Sequence, residues 1–142
     1  MLDVHLAGPN SAAMTATLPH ALSEIGQIAI TVGDVPRATA FYRDVLGLKF
    51  LFQAGPNLAF FAAGDVRLML TKPEGAGAVG RNSILYFKVD DIAAAHAAIV
   101  ARGAKPESEP RMIAKMPDHD LWLSGVSDPE GNIIELMSEV RA

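Results

Sequence analysis

The feature that most constrains this chain is an internal repeat of one strand–helix–strand–strand–strand pattern. Residues 26–32, GQIAITV, alternate in character: Ile28, Ile30 and Val32 share one face, while Gln27, Ala29 and Thr31 share the other. That alternation predicts a half-buried strand. GDVPRATAFYRDVLG follows. Asp34 is a suitable helix N-cap, Pro36 is tolerated in a first turn, and Ala38, Phe41 and Val45 recur at helical spacing. Gly47 supplies the left-handed stop. Three strand-like runs come next, LKFLFQ, LAFFAA and VRLMLT, separated by the turn signals AGPN and GD. The same order then returns. SILYFKV reads as a strand, and DDIAAAHAAIVARG as a helix capped by Asp91 or Asp90 and ended by Gly103. PRMIAKM, DLWLSGV and NIIELMS complete the second set. Aligning Val32 with Val89 sets Gln27 opposite Ile84 and Asp34 opposite Asp91; aligning the closing strands sets Met69 opposite Glu135. Two units with matching caps constrain the fold more than any single segment.

The predicted organisation is an arm over residues 1–22, a first module over 23–74, a linker over 75–82 and a second module over 83–140, the two modules forming one domain. The arm, rich in Ala, Pro, Ser and Thr, shows no sustained period. It is expected to be a flexible tail, and Met14 is an alternative start. GAGAVG, residues 75–80, matches GxGxxG literally but leads into a strand. The phosphate-binding use of that motif needs a helix N-terminus, so these glycines read as a linker.

Composition excludes several classes of function. The chain of 142 residues carries a net charge of −4, with Lys and Arg scattered, which weighs against a nucleic-acid or anionic-membrane partner. It has no cysteine, removing thiolate nucleophiles, disulfides and thiolate metal sites. No apolar stretch approaches membrane-spanning length, and no basic start followed by an apolar segment marks a signal peptide. A cytoplasmic location is expected.

One residue stands out within a predicted strand. Glu135 is flanked by Ile133, Ile134, Leu136 and Met137 after the turn DPEG. A carboxylate in such company is costly to bury unless it is paired, protonated or bound to a metal.

The paired pattern, with VGDVPRATAFYRDVLGL in its first half and DPEGNIIEL closing its second, resembles the vicinal oxygen chelate superfamily. That group includes glyoxalase I, extradiol dioxygenases, methylmalonyl-CoA epimerase and the bleomycin- and fosfomycin-resistance proteins. The resemblance spans about residues 24–140. It implies an α+β fold of two tandem βαβββ modules, whose curled mixed sheets form half-cups around a central cup, helices outside. It also implies a homodimer. Metal-dependent members place ligands on the first and last strand of each module. In this sequence those positions are Gln27, Met69, Ile84 and Glu135. Gln27 and Glu135 suit the family pattern, and would be the ligands if any metal bound. Met69 is a poor donor for hard or borderline ions and Ile84 has no donor atom. A one-residue slip would offer Ser83 instead. No cofactor is therefore expected, a divalent metal being the alternative.

Alternation assigns Gln27, Ala29, Thr31, Arg67, Met69 and Thr71 to one half of the cup. Ile84, Tyr86, Lys88, Ile133, Glu135 and Met137 fall to the other. Trp122 and Phe61 are candidate walls. Lys88 or Arg67 could pair with Glu135, or Gln27 could donate a hydrogen bond to it. Among the histidines, His96 falls on the second helix and outside the cup. His119, between Asp118 and Asp120, is either a polar turn or a proton-transfer group at the pocket mouth. His5 and His20 lie in the arm.

Three readings of function follow from the resemblance. The first is a metal-independent protein binding an unidentified small molecule, with Glu135 as its key polar group. The second is a metal-dependent lyase or isomerase of the glyoxalase I or epimerase kind, with Glu135 as ligand or base. The third is a structural module with a filled cup.

Overall fold

The computed structural model of the chain describes residues 2–3, 18–20, 23–73, 79 and 83–141. Most of the expected arm, including His5 and Met14, and all of the expected linker except Val79, lie outside the described residues. A two-residue strand, β1 (Leu2–Asp3), precedes the first repeat.

The first module runs β2 (Gln27–Thr31), α1 (Val35–Ala40), β3 (Lys49–Gln53), β4 (Leu58–Ala63) and β5 (Val66–Thr71). Its sheet is ordered β2-β5-β4-β3, with β2 and β5 parallel and the other pairs antiparallel. The second runs β6 (Ile84–Lys88), α2 (Ile92–Ala101), β7 (Lys105–Lys115), β8 (Asp120–Ser127) and β9 (Ile133–Val140). Its sheet is ordered β1-β7-β8-β9-β6, with β1 adding in parallel to β7. Among the described residues, no helix is long and apolar enough to cross a membrane.

The duplication expected from the sequence reaches down to individual hydrogen bonds. Gln27 pairs with Arg67 and Ala29 with Met69 in one module; Ile84 pairs with Ile133 and Tyr86 with Glu135 in the other. Val32 N donates to Thr71 O at 2.9 Å, and its counterpart Val89 N donates to Met137 O at 2.8 Å. Asp34 caps α1 by accepting from Arg37 N at 3.0 Å, and Asp91 caps α2 by accepting from Ala94 N at 3.1 Å. Both caps satisfy amides that a helix start leaves without partners. Gly47 and Gly103 stop the helices at φ 78° and 116°.

Two elements depart from the sequence expectation. The first helix does not run evenly to Gly47: after Ala40 it widens into a π turn, Phe41–Val45, closed by Leu46 N to Phe41 O at 3.0 Å. The wider turn lets the adjacent Phe41 and Tyr42 both reach the core, edge to face at 5.6 Å. The strand expected from residue 110 begins instead at Lys105. Pro106 and Pro110 obscured its start, yet proline is tolerated there because, among the described residues, β7 has no ladder partner on that side except β1, at Ala114 and Lys115.

Alternation leaves one side of each sheet for a shared core. Ile30, Leu68 and Leu70 from the first sheet join Val126, Ile134 and Leu136 from the second, with Val35, Tyr42, Ile92 and Ile99 from the helical segments. Phe61, expected as a possible wall of the cup, belongs to this core instead, fully buried and 5.5 Å from the Phe50 ring. Polar contacts also join the modules. Arg37 pairs with Glu130, whose carboxylate also accepts from Gly33 N, and Arg102 Nε donates to Val45 O at 2.8 Å.

Candidate functional site

The sheet faces turned away from the core are the two half-cups. On the first, Gln27 and Arg67 are exposed, and Thr31, Met69 and Thr71 half-buried. Arg67 Nε donates to Gln27 Oε1 at 2.7 Å, and Gln27 Nε2 lies 3.7 Å from Met69 Sδ. The Arg67 guanidinium sits over the Phe60 ring, 5.0 Å from its centre. Phe60 in turn stacks on Phe52, with centroids 4.6 Å apart and planes 26° from parallel. Simple alternation would place Phe50 and Phe52 on the same side. A β-bulge between them leaves Phe50 opposite Phe61 on the core side and Phe52 opposite Phe60 on the cup side.

On the second half-cup, Ile84 and Tyr86 stand about half exposed beside Ile133 and Glu135, and Lys88 lies opposite Met137. Glu135 also lies opposite Gly125 of β8. A Cβ at position 125 would collide with Glu135 Oε2 and lie 2.9 Å from Ser108 Oγ. The missing side chain is what lets the carboxylate fold across β8 toward Ser108. Burial pushes the Glu135 carboxyl above its ordinary range, and the positive charge of Arg111 works against that shift.

The partners expected for Glu135 are therefore corrected. Arg67 is held by Gln27 within its own sheet, and Lys88 reaches Glu139 at 3.4 Å. Gln27 donates toward Met69, on the other sheet from Glu135. The cation that acts on Glu135 is Arg111, which lies in the strand expected from residue 110, next to an irregularity in its pairing with β8. Trp122 is corrected as well. It lies opposite Ser138, a buried residue on the core side, and packs against the core instead of walling the cup.

The histidines divide as their elements dictate. His96, on α2, is buried, with Nδ1 2.9 Å from Ser124 Oγ. His119 has a largely buried ring, with Nδ1 2.7 Å from Asp118 Oδ1 and Nε2 3.6 Å from Glu139 Oε2. Arg141 reaches Asp118 and Glu139, at 3.4 Å each. His119 and Arg141 hold Asp118 below the usual carboxylate range. Desolvation pushes Glu139 up, but Lys88, His119 and Arg141 outweigh it and hold the group low. His20 is exposed, with φ 56°.

The four ligand positions implied by the family do not suit a divalent ion. Gln27 Oε1, the oxygen that would face a metal, already accepts a bond from a cation. Met69 offers a thioether and Ile84 nothing. Among the described residues no cluster of three or more His, Asp or Glu could complete such a site. Phe52, Phe60, Ser108, Arg111 and Gly125 belong to the two faces without having been expected there from the sequence. For Phe52 the bulge hid its face, and for Gly125 the only signal was a glycine inside a strand.

A cleft of about 630 Å³ lies between the modules, lined on one side by Ile28, Leu48 and Leu68 and on the other by Leu85, Tyr86 and Phe87. Tyr86 thus borders both this cleft and the second half-cup.

Duplicated βαβββ units with open half-cups and outlying helices define a protein of the paired-module, small-cup class. The model of the Glyoxalase/Bleomycin resistance protein/Dioxygenase superfamily matches residues 24–136, and the chain belongs to that superfamily. Among curated proteins, the chain is 27% identical over 126 residues to the uncharacterized protein YraH of Bacillus subtilis (strain 168), covering 78% of this chain and 94% of that one. Among solved structures, it resembles a lactoylglutathione lyase from Agrobacterium tumefaciens, at 26% identity and a TM-score of 0.68, over 82% of this chain and 94% of that one. A superfamily member from Sphaerobacter thermophilus matches at 23% identity and a TM-score of 0.70, over 83% and 98% of the two chains.

Proposed function

We propose that this chain is a metal-independent, small-molecule-binding protein of its superfamily, working in the cytoplasm as a homodimer. The observation that carries this reading is the bond from Arg67 to Gln27 Oε1, which places a fixed cation where a metal would need an oxygen donor. Met69 and Ile84 at the equivalent positions support it. Among the described residues, no side chain covers Ile84 and Tyr86 of the second half-cup, which remain 48% and 51% exposed. Apolar groups left open on a concave sheet suit a ligand, and a second copy that closes the cup over it.

The test is purification with nickel, zinc, cobalt and manganese present, followed by elemental analysis and calorimetric titration with each ion. Substoichiometric metal and no binding heat are expected. One tightly held ion per chain would overturn the reading. Light scattering addresses the dimer, for which a mass near twice the 15.0 kDa chain is expected.

A second reading rests on a different observation. Glu135 is a partly desolvated carboxyl with a raised pKa on a cup face. Such a group can take a proton from a carbon acid, as in a lyase or isomerase. Loss of turnover in Glu135→Gln, with ligand binding retained, would support this catalytic role.

A further inference from the structure

We infer that the first half-cup is a receptor for the carboxylate of a small ligand with a flat apolar body, and that Arg67 is its anion-binding group. This rests on the metal-independent binding reading and gives the ligand a chemical class.

Three features carry it. First, the guanidinium is fixed before any ligand arrives: Nε is tied to Gln27 at 2.7 Å and one face lies on Phe60 at 5.0 Å. Those contacts leave the two terminal nitrogens, whose paired N–H bonds match the geometry of a carboxylate. Second, the charge is not neutralised within the sheet. Its partners are an uncharged amide and a ring, and among the described residues no carboxylate pairs with it. Third, the cation is continuous with an aromatic shelf. Phe60 stacks on Phe52, and the bulge that turns Phe52 to the cup side leaves it 46% exposed. A guanidinium packed along a stack of rings with an open end is arranged for an anion joined to a planar apolar group.

Gln27 then acquires a role other than metal ligation. It is a positioning residue: its carbonyl orients the guanidinium, while its amide is held toward Met69. An uncharged acceptor does this without cancelling the charge that the ligand needs.

The test is calorimetric and NMR titration of the full chain with benzoate. Benzyl alcohol and benzylamine serve as neutral and cationic controls. Benzoate is expected to bind, with neither control matching it. Arg67→Met is expected to weaken benzoate binding at least tenfold, and because Arg67 is exposed the variant keeps its fold. Gln27→Glu retains an oxygen acceptor for Nε but neutralises the site, and is expected to abolish benzoate binding. Gln27→Ala weakens it only severalfold. Benzoate binding unchanged in Arg67→Met, or equal binding of benzyl alcohol, would overturn the receptor. So would an absence of benzoate binding to a protein shown to be metal-free, which leaves the metal-independent reading intact. Stoichiometric metal together with Arg67-dependent benzoate binding would overturn the metal-independent reading and sustain the receptor.

Discussion

Tyr42 donates its hydroxyl to Asp128 Oδ2 at 2.9 Å, and this buried bond ties the helical segment of the first module to the closing turn of the second. Asp128 is almost wholly buried, yet its carboxylate is well satisfied. Oδ1 accepts from Glu130 N at 2.9 Å and Asn132 N at 2.8 Å, and Oδ2 also accepts from Asn132 Nδ2 at 2.8 Å. The turn DPEGN is thus a clamp between modules as well as a reversal of the chain. Glu130 of the same turn holds Arg37 and Gly33 N of the first module.

Removing the tyrosine hydroxyl deletes one hydrogen bond to a buried charge. Tyr42→Phe is expected to lower stability by about 1.5–3 kcal/mol, read from urea denaturation. Asp128→Ala is expected to lower it further, because it strands the tyrosine hydroxyl, the Asn132 amide and two backbone N–H groups together. Equal losses in the two variants would show that the clamp does not act as a unit.

Burial, followed by the charge and the bond of Asp128, holds the Tyr42 proton well above the ordinary phenol range. A raised folded-state pKa means that the folded state keeps a proton the unfolded chain releases. The stability contribution is therefore complete below about pH 10 and is lost as pH rises beyond it. The chain has only one other tyrosine, Tyr86. In Tyr86→Phe, phenolate absorbance is expected to appear only as the protein unfolds. Phenolate forming in the folded protein near pH 10 would refute the assignment.

Ser124 and His96 give a second buried polar contact to test. His96 Nδ1 is 2.9 Å from Ser124 Oγ, while among the described residues Nε2 makes no hydrogen bond and lies 3.6 Å from Glu109 Oε2. Ser124→Ala would leave Nδ1 without its partner inside the packing of α2 on its sheet, with only the longer 3.6 Å approach of Nε2 to Glu109 Oε2 remaining. A loss of about 1–3 kcal/mol is expected from thermal or urea unfolding. A loss within about 0.5 kcal/mol would show that the contact is not stabilising.

What was legible in the sequence follows from which signals are periodic. Alternation placed Gln27, Arg67, Met69, Tyr86 and Glu135 on faces opposite the core, because a strand's side-chain period is two. The caps Asp34 and Asp91 were legible because an acidic side chain before a helix has a local partner, the backbone amide three residues on. The misses share a physical cause, since each breaks a period. The π turn at Phe41–Val45 adds a residue to a helical turn. The bulge at Phe50–Phe52 shifts a strand's parity, and the irregular β7 carries Arg111 to Glu135 through a stretch with two prolines. Trp122 was expected as a wall of the cup, and only its register with Ser138 puts it on the core side. Pairing between distant strands also decides which cation meets which carboxylate, and spacing along one strand does not contain it.

Gly125 is predicted to control Glu135 without contributing an atom of its own. In Gly125→Ala the new methyl group meets the ends of two flexible side chains, Glu135 and Ser108, so the strand itself need not move. Stability is expected to change by no more than about 1 kcal/mol. The Glu135 carboxylate should swing toward solvent, and its pKa should fall back toward the ordinary carboxylate range. Carboxyl-detected NMR titration checks this, and an unchanged Glu135 pKa would contradict it.

The ionisation of Glu135 should make the stability of the fold depend on pH. Burial raises its folded-state pKa and Arg111 opposes the rise, so the fold favours the protonated form. A carboxyl of this kind contributes fully to stability below the unfolded value of about 4.3, and loses that contribution as pH rises through the folded pKa. At neutral pH the ionised group is a net cost to the fold. Glu135→Gln is therefore expected to be more stable than the parent at pH 7, with the advantage shrinking as pH falls toward 4. Arg111→Gln acts in the opposite sense: it removes the opposing charge, raises the Glu135 pKa further and lowers stability at pH 7. Urea midpoints for the three proteins at the two pH values decide the matter. A Glu135→Gln variant less stable than the parent at pH 7 would mean that the ionised carboxylate is held by favourable bonds in the fold, and its availability to a ligand would have to be abandoned.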